Sequence, residues 1–186
     1  MDNPLVIDCT NNNTNESFIR EIYSVSGQFS RIYKNPAVPY KDMFRSTIGS
    51  VFYGLGVLFL TILTGFFKKF DIFSVVLITI ASVLLVFALF FAIFFRVSFK
   101  KFKGAFNKFE HTVLILDNGG VRVDMDDGNF SVKIPWSEVL ALRIYKESFF
   151  FFNKDKGKQS IVCEMSHKNQ VLAFIGEYGI NIRIIQ

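Results

Sequence analysis

Residues Ser46 to Phe67 read STIGSVFYGLGVLFLTILTGFF, 22 positions without a charge, and Ile72 to Phe95 add another 24. At about 1.5 Å of rise per residue such helices reach roughly 33 to 36 Å, enough to cross a hydrocarbon core of about 30 Å. A core helix of a soluble domain keeps a polar face, and neither run has one. Between them stands KKFD, Lys68 to Asp71, room for only a tight turn, so the spacing predicts an antiparallel hairpin. Arg31, Lys34, Lys41 and Arg45 precede the first run. Arg96, Lys100, Lys101, Lys103 and Lys108 follow the second, and the turn offers only Lys68 and Lys69. The bias of Lys and Arg predicts both termini on the cytoplasmic side of a cell (inner) membrane, with a multi-pass topology.

The chain is long enough for one compact domain beside the hairpin. Of its 186 residues, 51% are hydrophobic and 24 are Phe, and mean hydropathy is +0.33, apolar for a water-soluble domain. The opening residues lack a basic start followed by an apolar run, so no cleavable signal is expected. Two cysteines, Cys9 and Cys163, with no CxxC, point to neither a zinc ribbon nor a disulfide framework and suit a reducing compartment.

Ser46, Ser50 and Gly54 fall at i, i+4 and i+8, a small-residue ridge that lets another helix approach closely; Ala88 and Ala92 form a shorter one. Packing within the hairpin is the first use for such a ridge, and a homodimer the second. No ionisable residue lies inside either run, which argues against an ion path or proton relay.

After the second run comes FRVSFKKFKGAFNKFE, Phe95 to Glu110. Its basic side chains, in a chain of net charge +5, would suit nucleic acid, but the apolar run enters it without a proline, so it is expected to continue the same helix as a stem, with no nucleic-acid role. Phe95, Phe99, Phe102, Phe106 and Phe109 recur at 4, 3, 4 and 3 on one face, while Arg96, Lys100 and Lys103 line another. The stripe Phe99, Phe102, Phe106 and Phe109 is expected to pack on the sheet domain or the N-terminal helix. Arg96, Lys100, Lys101, Lys103 and Lys108 are expected at anionic headgroups of the bilayer.

The organisation expected is therefore an N-terminal strand and amphipathic helix over 1–45, the hairpin over 46–95 (46–67 and 72–95), the stem over 96–110 and a sheet domain over 111–186. In the first part Pro4 to Cys9 reads as a strand that could join that sheet. Asn13, Thr14 or Asn15 can cap a helix from Glu16, with Phe18, Ile19, Ile22, Tyr23 and Val25 or Phe29 as its apolar face, ending at Asn35 to Pro39. Beyond Glu110, TVLILD, VRVDM, FSVKIPW, EVLALRIY, SFFFFN and QSIVCEM read as six strands divided by turn residues. Ser166 can cap a closing helix from His167 to Tyr178, stopped by Gly179.

Asp124, Asp126, Asp127 and Gly128 suggest a calcium loop, but glycine stands fifth and position 12 is Pro135, so a hairpin turn is expected instead. His111 and His167 have no Cys, Asp or Glu at metal-ligand spacing, and no nucleophile or phosphate-loop motif occurs. No enzyme activity, metal or cofactor is expected. Trp136, the single tryptophan, is expected to anchor the core. In a strand, Phe149, Phe150, Phe151 and Phe152 must face two ways; if one face is core, the other exposes two rings, to be covered by a helix, lipid or a partner surface.

The run EHTVLILDNGGVRV, followed by IPWSEVLAL and ESFFFFN, resembles the YcxB-like family of bacterial membrane proteins, through Glu110, His111, Thr112, Gly120, Trp136, Val139 and Phe151. The resemblance covers most of the chain. It departs at Val162 to Gln170, where VCEMSHKNQ lacks the family's proline. What it implies is an α+β membrane protein: a two-helix hairpin with a cytoplasmic domain like bacterial pleckstrin-homology folds, an antiparallel meander or partial barrel closed by a C-terminal helix, and no catalytic residues. The function expected is non-enzymatic: binding of a protein partner or lipid headgroups beside the membrane. The alternative is an immunity protein against a membrane-active or secreted toxin.

Overall fold

The structure is a computed structural model that describes residues 3–9, 15–67, 72–106, 111–125 and 130–186. The turns expected at 68–71 and 126–129, the cap candidates Asn13 and Thr14, and Lys108, Phe109 and Glu110 lie outside the described residues. The chain forms an α+β protein of two compact units: Lys41–Lys101, and Met1–Tyr40 together with Phe102–Gln186.

The first unit is built from α3 (Met43–Phe67) and most of α4 (Ile72–Phe106). Helix α3 starts three residues before the uncharged run because Asp42 caps it, its Oδ1 accepting from Phe44 N at 2.9 Å and Arg45 N at 3.3 Å. Helix α4 continues unbroken from the apolar run into the basic comb. Both helices are long and apolar enough to cross a membrane, and their apolar windows are 0% and 6% buried within the protein. Within the pair Gly54 faces Leu85, where an added Cβ would lie 3.4 Å from Leu85 Cδ1.

The second unit holds two four-stranded sheets. Strands β1 (Leu5–Asp8), β2 (Thr112–Asp117), β3 (Gly120–Met125) and β4 (Phe130–Pro135) form an antiparallel sheet in that order. Leu5 pairs with Leu116 and Asp8 with Val113, so residues from opposite ends of the hairpin insertion share one ladder. The second sheet has the order β7-β6-β5-β8, from β5 (Val139–Ile144), β6 (Ser148–Asn153), β7 (Ile161–Glu164) and β8 (Ile184–Ile185). Strand β8 pairs parallel to β5, and its two residues are too few to carry an alternation readable in sequence.

Helix α5 (Lys168–Glu177) contributes Val171, Phe174 and Ile175 to the core that both sheets share. Gly179, at φ +61°, ends it as a left-handed stop. Ser166 does not cap it: a 3-10 turn, Met165–His167, precedes the helix, and the Ser166 hydroxyl bonds Glu164 Oε2 at 3.4 Å. Gly120 is required at the β2–β3 turn, since a Cβ there would collide with the Ile134 carbonyl and lie 2.8 Å from Pro135 Cα.

The N-terminal helix is two helices, α1 (Glu16–Ser26) and α2 (Phe29–Lys34). Asn15 caps α1, its Oδ1 accepting from Ser17 N and Phe18 N. Gly27, a poor helix former, ends α1 with its N–H on the Tyr23 carbonyl.

Candidate functional site

Alternation along β6 sorts its four rings onto two faces. Phe149 and Phe151 belong to the core between the sheets, where Phe151 meets Trp136 edge-on at 6.1 Å. Phe150 and Phe152 turn to the other face and meet Phe29 of α2 at 6.4 and 5.8 Å, Phe152 also meeting Tyr33. All four rings are buried. The partner surface expected at Phe149 to Phe152 is therefore corrected: the helices before the hairpin already cover the second face. Trp136 sits as a core anchor, partly buried against the core, with Nε1 donating to the Asp117 carbonyl at 2.8 Å.

Helix α1 is pinned to the sheet by a carboxylate. Glu21, 4% exposed, accepts from Ser148 Oγ at 2.5 Å and Glu147 N at 3.0 Å on Oε1, and from Tyr40 Oη at 2.9 Å on Oε2. Three donors compensate a charge that would be costly to bury alone. The signal for Glu21 was its position: three after Phe18 and four before Val25, it interrupts the apolar stripe. Beside it Tyr40 packs edge-on against Tyr145 at 5.2 Å, and Arg143 lies over the Tyr145 ring at 4.8 Å. Burial pushes the Tyr145 phenol up to about 12, with Arg143 pulling down and Glu21 adding to the rise.

The stem residues divide. Phe102 meets Tyr23 at 5.3 Å and Phe106 meets Phe18 at 6.2 Å, so these two rings pack on α1. Phe99 differs from expectation, meeting Phe44 at 4.8 Å inside the helical unit. Arg96, Lys100 and Lys101 are exposed, while Lys103 stands 3.6 Å from Glu16, which gives it a protein carboxylate. In the helical unit Ser46, Ser50 and Gly54 line a groove of about 630 Å³ with Ala81, Leu84 and Ala88 across from them.

An apolar pocket of about 430 Å³ lies in the β unit. Phe18 and Ile22 of α1, Phe102 and Phe106 of α4, and Val132, Phe150 and Ile161 from the strands form its walls. Ser26, Thr112, Gln159, Ser160 and Cys9 supply the polar atoms, and none of the described lining residues is charged. The Cys9 thiol lies 3.1 Å from the Cys163 thiol, joining the two sheets across 154 positions of chain. The hydrogen bond with Cys9, then burial, pushes the Cys163 thiol well above its ordinary range, so it is a packing group and not a poised thiolate. The arrangement can hold an apolar group, and its described lining residues include no paired acid and base. Comparison with protein-family models, with curated proteins and with solved structures finds no match for this chain, so the reading of function rests on the residues and their geometry.

Proposed function

We propose that this chain is a two-span membrane protein, both termini cytoplasmic, whose β unit is a non-enzymatic binding module for a protein partner or lipid headgroups beside the bilayer. The observation that carries it is the pair of helices Met43–Phe67 and Ile72–Phe106, whose apolar windows remain almost wholly uncovered by the protein. An apolar surface of that length needs a non-aqueous surrounding. The resemblance to YcxB-like proteins and to pleckstrin-homology folds is in keeping with an antiparallel sheet of β1 to β4, the antiparallel pairs β5–β6 and β6–β7, and a C-terminal helix, and belongs to this proposal.

Exposed Arg96, Lys100 and Lys101 follow the second span. Each basic side chain near an anionic surface is worth on the order of 1 kcal/mol. The test is twofold. Alkaline carbonate should leave the chain in the membrane, and reporter fusions should give cytoplasmic signals at both ends; release by carbonate sinks the membrane reading. The full chain should then either recover a partner from membranes or prefer anionic over neutral vesicles, and failure of both removes the binding reading.

A further inference from the structure

The apolar pocket is open to one side and measures about 430 Å³, inside the roughly 300–1,000 Å³ range of small-molecule sites. Its walls include Phe18, Ile22, Phe150 and Ile161, side chains otherwise almost fully buried. None of its described lining residues is charged, so these side chains would not replace the water around a phosphate, a nucleotide or a metal ion. A neutral hydrocarbon loses nothing on entering.

The source follows from one wall. Phe102 and Phe106 belong to α4, the helix that also carries the second apolar run, Ile72 to Phe95, and that continues past it without a break. One helix thus carries a membrane span and, beyond its basic residues, a side of the pocket, and that continuity favours a lipid of the bilayer over a free solute. We propose that the pocket takes one alkyl chain of a membrane lipid, held between Phe18 and Ile22 of α1, Phe102 and Phe106 of α4, and the β-strand wall of Val132 and Ile161. This rests on the membrane reading above.

The probe is phosphatidylcholine carrying a diazirine near the end of one acyl chain, in vesicles containing the full chain, with labelled residues mapped by peptide mass spectrometry. Label is expected on Ile22, Val132 and Ile161 as well as along the spans. Ser26→Leu and Val132→Phe, which fill the pocket from opposite walls, should each lower pocket label roughly tenfold, the effect of displacing about two methylenes, and leave span label unchanged. Label confined to the spans, or pocket label equal in the filled variants, overturns the proposal. So does native mass spectrometry of the purified chain that finds a polypeptide or a free fatty acid in place of a phospholipid. The pattern on the unmodified chain decides even where neither variant folds. Carbonate extraction separates the failures: a chain that stays in the membrane without pocket label loses only this inference.

Discussion

The phenylalanines of β6 and those of α4 are the same residue in similar density, and they meet opposite surroundings. Phe149 to Phe152 are no more than 2% exposed, whereas Phe87, Phe90, Phe91 and Phe94 are 51 to 62% exposed. The strand is covered on both faces, by the other sheet and α5 on one side and by α1 and α2 on the other. The helix is covered by the protein almost nowhere. An aromatic run therefore reports only that water is excluded; what excludes it depends on how many neighbours the fold supplies.

Removing one ring from each region should break or keep that contrast with the largest effect. Phe151→Ala deletes a ring packed against Trp136 and should cost about 3–5 kcal/mol, as truncation of a buried aromatic does. Phe90→Ala should leave the β unit's unfolding within about 0.5 kcal/mol, as for a position away from its core. Denaturant unfolding of the full chain, followed by Trp136 emission, compares them. Equal costs would mean that Phe90 is covered by protein after all. Phe150→Ala should fall with Phe151→Ala, and a cost below about 1 kcal/mol would show that α1 and α2 cover that face without packing on it.

Glu21 tests the cover itself. Glu21→Ala leaves the Ser148 hydroxyl, the Glu147 N–H and the Tyr40 hydroxyl without their acceptor, which should cost roughly 2–3 kcal/mol. Glu21→Gln keeps one carbonyl oxygen and should recover part of it. If the Ala variant unfolds like the parent, the helix is held by its apolar face alone.

Between the two regions stand Phe102 and Phe106, on the exposed helix by chain and on the buried side by contact. Their joint replacement by Ser should cost about 2 kcal/mol, less than the sum for two full burials because both are only partly covered. Replacing Phe90 and Phe94 by Ser should spare the β unit and impair membrane insertion, so that the two double variants fail in different assays. A stem variant as stable as the parent would refute the packing on α1.

Much of the architecture could be read along the chain because it is governed by near neighbours. Uncharged runs mark α3 and α4, turn residues bound β2 to β7 with clear alternation in β3 and β4, and the glycine that the β2–β3 turn demands stands at position 120. Periodicity speaks of faces, not of what meets them. It divided Phe149 to Phe152 correctly between two sides but left one side open, because the cover, α1 and α2, lies more than a hundred residues earlier. Glu21 was visible as a polar break in an apolar stripe, yet its donors come from Tyr40, Glu147 and Ser148. Cys9 and Cys163 met through sheet topology alone. The pocket draws on two helices of the N-terminal segment, the end of α4 and strands of both sheets, so no single segment carries its pattern.

The smallest effect concerns Tyr145, the residue that follows β5, and is visible only in alkali. Tyr145 is buried with its hydroxyl lacking a hydrogen-bond partner among the described residues, so Tyr145→Phe should change stability by no more than about 1 kcal/mol at neutral pH, since it removes an unsatisfied group and no bond. Burial raises the phenol from 10.0 to about 12 in the folded protein. Its contribution to stability is thus fully present below pH 10 and is lost as pH climbs toward 12, because the unfolded chain releases the proton first. The loss should be on the order of 1–2 kcal/mol. All other side chains are common to parent and variant, so the difference between them isolates this one. The variant's stability should fall less steeply between pH 10 and 12, and parallel curves would mean that water reaches Tyr145, and hence that α1 covers this end of the sheet less tightly than it covers Phe150.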